Sequence, residues 1–351
     1  MTLPPRPDLS ALSAEVRAYI LGLEAELEAA RGRQAAAPEQ PPAELEPSEP
    51  PTTINVITAT RSGLAKRTPR HYYSRQRRGG MGVFDLDSPE EDPPTVIALA
   101  DESDALLLIT DQARAFRLPA AMIPEKQVRA RGEDILARFD LLNGESLAAI
   151  LPVQAEGYIA LAGRSGQVRL LRHHVFGDFM KPGTALYDPK TFGLLAGACW
   201  TPGDGDLFIV TRAGRAIRFS EKAVPPQGGL GIRLQDDDEV VSINAVYDDS
   251  GVFLLADDGK GTIRQMQGFS ANKAPGAGGK TAIKADKVVG ATAVGADDDL
   301  FILTRLGKII RFSAAEVPEK EGVVQGVICI TLRADEPLAL ASSPVVPGLN
   351  L

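Results

Sequence analysis

The stretch Leu207-Phe208-Ile209-Val210-Thr211-Arg212-Ala213-Gly214-Arg215-Ala216-Ile217-Arg218 decides how the rest of the chain is read. An apolar run closes on a threonine, turns at a glycine, and continues into a second strand that ends in a cation. The run is nearly continuous in apolar residues, as in a strand buried on both faces, and the glycine supplies the positive φ of a tight hairpin. Five more copies follow the same plan: 54–60 before 63–67, 106–110 before 113–117, 158–162 before 166–169, 252–256 before 259–264, and 300–304 before 307–311. Their turn residues, 63, 113, 166, 214, 259 and 307, are spaced by 50, 53, 48, 45 and 48. Six copies at a period near 50 predict an all-β, six-bladed, propeller-like disc over 54–345, with the apolar run as the inner strand of each blade. Acid-rich turns such as Asp248-Asp249-Ser250-Gly251 and Asp297-Asp298-Asp299 separate the blades.

Outside the repeats the chain changes character. Over 1–34, Leu9, Leu12, Val16, Tyr19, Leu23 and Leu27 recur at helical spacing, weakened by Gly22. This predicts one short amphipathic helix, with weak self-association or docking as one expectation and no partner as the other. Segment 35–53 holds six prolines among Glu, Gln and Ala and is expected to be a disordered linker; 346–351 is a tail. Of the 351 residues 44% are apolar, yet no run reaches the roughly 18 needed to cross a bilayer, and no secretory signal pattern is present. A cytoplasmic location and no membrane partner are expected. Cys199 and Cys329 lie far apart in apolar surroundings and are read as free thiols.

Charge is distributed unevenly. The chain carries a net charge of −8, yet 54–82 contains seven Lys/Arg and no acid, ending in Arg75-Gln76-Arg77-Arg78-Gly79-Gly80-Met81-Gly82. Interleaved glycines let a backbone approach a polyanion alongside guanidinium forks, which points to phosphate-backbone contact with DNA or RNA.

With these repeats and this box, the sequence resembles the C-terminal domain of the DNA gyrase and topoisomerase IV A subunits, whose fold is a six-bladed β-pinwheel. Gyrase members carry Gln-Arg-Arg-Gly-Gly-Lys-Gly in the first blade; here 76–82 match at six of the seven positions, with Met81 in place of the Lys. The resemblance implies a cytoplasmic, nucleoid-associated role on double-stranded DNA, with gyrase or topoisomerase IV subunits as partners. It also implies no enzyme activity, since the family's breakage-reunion domain with its tyrosine is not recognisable, and Tyr72 and Tyr73 read as stacking or structural side chains. A basic rim would neutralise phosphates and bend the duplex without reading bases. In the first blade the expected DNA-binding residues are Lys66, Arg67, Arg70, Arg75, Gln76, Arg77, Arg78, Gly79, Gly80 and Gly82. Later blades add Arg114, Arg117, Arg129, Arg131, Arg169, Arg172, Arg215, Arg218, Lys260, Arg264, Lys273, Lys280, Lys308 and Arg311, about half of which are expected to guard strand edges instead. The alternative is a propeller-like protein-interaction scaffold that has lost DNA wrapping.

Other signals point elsewhere and weigh less. Ala274-Pro275-Gly276-Ala277-Gly278-Gly279-Lys280-Thr281 has P-loop character, but the residues after it are strand-like, so a second basic loop is the preferred reading. Gln227-Gly228-Gly229 and Gln325-Gly326 echo the box without its charge and are read as structural. His71, His173 and His174 have no zinc-site spacing, the acidic clusters read as solvated turns, and Trp200 reads as core; no cofactor or metal is expected.

Overall fold

The computed structural model describes residues 49–343 together with 9, 13, 15–22 and 24. Two units result, Met1–Leu45 and Glu46–Leu351. In the first, 15–22 is helical, with Val16, Tyr19 and Leu21 exposed; the remainder of the helix, the linker over 35–48 and the tail from 344 lie outside the described residues.

The second unit is a disc of six blades, antiparallel except for Glu319–Lys320, which runs parallel to Lys260–Gln265 in the fifth. In the first blade the order outward from the axis is Pro94–Asp101, Ile54–Thr60, Leu64–Pro69 and the two-residue strand Glu133–Asp134. The apolar run is thus the second strand and not the innermost. The axial strands (Pro94–Asp101, Leu147–Pro152, Leu195–Thr201, Val240–Val246, Val288–Val294 and Pro337–Ser343) pack blade against blade in a closed ring around a cavity of about 870 Å³. Successive residues of these strands line that cavity, Cys199 and Trp200 among them, and both are only partly buried. The turn residues 63, 113, 166, 214, 259 and 307 all have positive φ, including Ala113 at 54°.

Each seam between neighbouring blades holds its own apolar cluster. Ile57, Leu108 and Phe116 fill the seam between the first and second blades, Leu107 and Ile159 the next, and Phe253, Ile302 and Phe312 that between the fifth and sixth. The seam closing the ring, between the sixth and first blades, has six buried apolar residues, against ten to sixteen in the others.

The outermost strand of every blade is donated by the following repeat. Val83–Phe84 pairs with Lys308-Ile309 of the sixth blade, Glu133–Asp134 with Leu64-Ala65 of the first, and Lys280–Thr281 with Arg215-Ala216 of the fourth. The residues after each basic strand form a 3-10 turn and then a loop that crosses to the blade before it. These crossing loops are the rim.

Candidate nucleic-acid interface

The first rim loop shows how the crossing is built. Tyr73 is buried in the closing seam and anchors one end. At the other end Gly82 has φ +69°, and a Cβ placed there would lie 2.7 Å from the carbonyl oxygen of Ile309, so only glycine lets the loop reach the sixth blade. Gly132, Gly228, Gly279 and Gly326 likewise meet the backbone of the second residue of the preceding blade's basic strand, and Gly183 donates its N–H to that residue, Ala115, at 2.9 Å, which places the 274–281 segment and the uncharged echoes as copies of the box loop. Between anchor and glycine the backbone is pinned. Gln76 N donates to Arg311 O at 2.7 Å, Gly79 N to Cys329 O at 2.7 Å, and Thr331 N to Gly80 O at 2.9 Å.

Several cations expected at the interface are held inside the disc. Lys66 has no exposed surface and is bonded to Asp85 at 2.6 Å; a phosphate in solvent cannot reach it. Thr58 and Tyr73 donate to the same Asp85 carboxylate, at 2.9 and 2.7 Å. Burial pulls the Lys66 amine below its usual range and Asp85 offsets part of that; burial first and then Asp85 push the Tyr73 phenol well up. Arg218 and Arg311 stitch their blades to the next 3-10 turn. Arg218 Nη1 donates to Met266 O at 2.9 Å, and Arg311 Nη1 to Arg70 O and Tyr73 O at 3.2 and 3.0 Å. Their remaining nitrogens are paired with Asp206 and Asp248, and with Asp299 and Glu49. Arg70 is buried on Glu49 at 2.9 Å. Arg264 is buried as well, with Nε and Nη1 lacking partners. For these five the interior reading replaces the surface one: carboxylates and carbonyls hold the desolvated charges of Lys66, Arg70, Arg218 and Arg311, and Arg264 lies over the Phe269 ring.

A second group is half-buried and engaged. Arg67 bonds Glu125 at 2.7 Å and Ile123 O at 3.0 Å, Arg114 bonds Glu145 at 2.6 Å, and Arg117 bonds Asp178 at 2.6 Å. Arg169 donates to Leu186 O, Arg215 to the carbonyls of Gly278 and Gly279, Lys260 pairs with Asp258, and Lys308 sits over the Phe84 ring. These side chains fasten the rim loops to their neighbours.

The exposed group is smaller. Arg75 is half-exposed and reaches Asp299 at 2.8 Å. Arg77 is exposed with no side-chain partner among the described residues, and Arg78 is exposed with Nη1 on Ile328 O at 3.2 Å. Arg129 and Arg131 are exposed on the second loop, beside the first: Leu86–Asp87 and Ala130–Arg131 form a parallel pair. Lys273 and Lys280 are exposed on the fifth loop, and Arg172 is exposed over the Tyr158 ring. Lys280 Nζ bonds Ser270 O and no helix follows it, so the P-loop reading does not hold.

Positive charge is therefore confined to part of the rim. The first loop carries Arg75, Arg77 and Arg78 without an acid, and the second carries three cations and Glu125 before its glycine. The third balances Lys181 with Asp178, the fourth is uncharged, the fifth carries Lys273 alone before its glycine, and the sixth has two acids to one lysine. Sequence reasoning missed the acids Glu49, Asp85 and Asp299. The signal for one of them was present, since Asp206-Leu207-Phe208-Ile209 and Asp299-Leu300-Phe301-Ile302 each precede an Arg-Phe-Ser strand end. No group of three or more metal-ligating side chains occurs among the described residues.

Six blades with donated outer strands, closed into a disc by glycine-pinned rim loops, define a β-pinwheel. The family model for the DNA gyrase C-terminal domain, β-propeller, matches residues 55–91, 104–154, 205–246 and 298–341, and the chain belongs to this family. Among curated proteins it is similar to the DNA gyrase A subunit of Mycobacterium leprae (strain TN), 28% identical over 300 residues, which are 82% of this chain and 24% of that protein. It is also similar to the gyrase A subunit of Mycobacterium tuberculosis (strain CDC 1551 / Oshkosh), 29% identical over 310 residues, 84% and 37% of the two chains. The chain thus spans about a quarter to just over a third of those relatives' length. Among solved structures, a DNA gyrase A C-terminal domain superposes with TM-score 0.72 at 22% identity, covering 82% of this chain and 99% of that one. The C-terminal domain of a DNA topoisomerase IV gives TM-score 0.60 at 18% identity, covering 82% and 93%.

Proposed function

We propose that this chain binds double-stranded DNA without catalysing its cleavage, and bends it over the arc of rim formed by the first and second loops. One observation carries the reading: Arg77 and Arg78 project from a loop with no acidic side chain between Ser74 and Phe84, in a protein that is acidic overall. Phosphate neutralisation there releases counterions and supplies affinity independent of sequence. Bending a site of 20–30 base pairs by 40–90° costs on the order of 1–6 kcal/mol, so Arg75, Arg129 and Arg131 share the load. Similarity to gyrase and topoisomerase IV A subunits supports a role beside such an enzyme in setting DNA topology. Lys66, Arg70, Arg218 and Arg311 act within this function only by holding the disc together.

The test is ligation of a nicked circular duplex in the protein's presence at two salt concentrations. A salt-sensitive shift in linking number, abolished by Arg77→Ala combined with Arg78→Ala, is the expected result. Binding without a shift reduces the function to backbone attachment. No binding at low salt overturns it in favour of an interaction scaffold.

A further inference from the structure

The seam between the sixth and first blades is where the box loop lands, and it is built differently from the other five. At the position of Thr58 the other blades carry Leu108, Leu161, Ile209, Leu254 and Ile302, and the buried Lys66–Asp85 pair adds charge to this poorly apolar seam. A second ionic chain crosses the same seam. Arg70 Nε bonds Glu49 Oε1 at 2.9 Å and Arg70 Nη2 bonds Oε2 at 2.9 Å. Arg311 Nη2 lies 2.7 Å from Glu49 Oε2, and Arg311 Nε lies 2.7 Å from Asp299 Oδ2. Arg75 Nη2 reaches the other Asp299 oxygen at 2.8 Å. Charges alternate from the segment that enters the first blade to the first cation of the box. The seam between the fourth and fifth blades has the matching parts in Arg218, Asp206 and Asp248, but there the outer acid belongs to a turn inside the disc. In the closing seam it comes from Glu49, near the end of the proline-rich segment.

We propose that Glu49 is a positioning residue for the Arg75–Arg78 loop, so that DNA held on the loop and the order of residues 49–53 are coupled. The mechanism is local. Glu49 is the carboxylate that offsets the buried Arg70, and it shares Arg311 with Asp299; without it Arg311 shifts toward Asp299 and displaces Arg75, which competes for the same carboxylate. Because Gln76 N donates to Arg311 O, movement of Arg311 also moves the loop backbone. Coupling of this kind is reciprocal: if Glu49 favours the loop conformation that binds DNA, bound DNA tightens the hold on Glu49. The DNA half rests on the function proposed above; the positioning half does not.

The full chain is compared as wild type, Glu49→Gln and Arg75→Ala, by amide hydrogen exchange and by titration with a 40-base-pair duplex. Without DNA, Glu49→Gln is expected to speed exchange at 75–84 and 308–311 about tenfold, leaving the third blade (158–172) unchanged. Arg75→Ala, at a half-exposed residue that leaves the fold intact, is expected to speed exchange at 49–53. Unchanged exchange in both variants overturns the positioning role. With DNA, Glu49→Gln is expected to weaken binding about threefold or more although it removes a negative charge. Stronger binding, the result of simple electrostatics, overturns the coupling. If the wild type binds no duplex, the function proposed above fails, while the exchange data still decide whether Glu49 positions the loop.

Discussion

Gly82 and Gly79 belong to the same box and have nearly the same backbone, φ +69° and +79°, yet they do different work. A methyl group at Gly82 meets the Ile309 backbone at 2.7 Å, whereas at Gly79 the nearest atom is 3.7 Å away. Gly82→Ala is therefore expected to cost about 1–3 kcal/mol from the strained backbone, plus displacement of the donated strand. Gly79→Ala should cost only the left-handed penalty of about 1–2 kcal/mol, and urea denaturation of the two variants separates the cases. Glu49 gives a residue-level pH dependence. Burial alone would raise its pKa, but hydrogen bonds and charge from Arg311 and Arg70 hold the carboxyl below its usual range. Its contribution is complete above the unfolded value of about 4.3 and is lost as pH falls through the lower folded one. Arg70, Arg311 and, beyond them, Asp299 and Arg75 face it. The stability difference between wild type and Glu49→Gln, measured by denaturant midpoint, is expected to be constant from pH 7 to about 5 and to shrink toward zero below that.

At the scale of elements, cations that look alike in sequence divide by where their strand ends and their loop begins. Arg218 lies within the strand Arg215–Ser220 and stitches the fourth blade to the fifth; Arg77 lies on a loop and faces solvent. Arg218→Ala is expected to lower stability by about 3 kcal/mol, since Asp206 loses its buried partner. Arg77→Ala with Arg78→Ala is expected to leave the denaturation midpoint unchanged and to reduce the slope of log affinity against log salt by about 1.8, or 0.9 for each lost phosphate contact. The six hairpins were legible in sequence because a turn needing positive φ recurs with an apolar run before it. The axial strands were not, because the cavity face of Ile97 or Ala198 is itself apolar and shows no alternation. The two-residue outer strands left no pattern at all: Lys280–Thr281 is a strand only because Arg215-Ala216 lies beside it. Nor could sequence divide Arg77 from Arg311, because the carboxylates that bury Arg311 come from residues 12 and 262 positions away.

Viewed whole, the disc has near six-fold repetition in its hairpins and little in its rim. From Tyr73 and its counterparts Ile123, Phe176, Val224, Phe269 and Val317 to the glycine the loops advance 9, 9, 7, 4, 10 and 9 residues, and net positive charge is highest on the first two loops and gives way to an acidic sixth. The DNA binding proposed above would therefore engage a sector of the rim, in keeping with a protein whose net charge is −8. The lending of outer strands has a consequence of its own. Each repeat lies over the one before it like a tile on a roof, and lifting any tile uncovers its neighbour. Loss of one repeat removes a blade and also strips the blade before it of its cover, leaving a row of free N–H and C=O groups that invites another chain. A disc made this way that loses one repeat is expected to re-cover the open edge, either with the strand of the repeat beyond the gap or with a tile from another molecule.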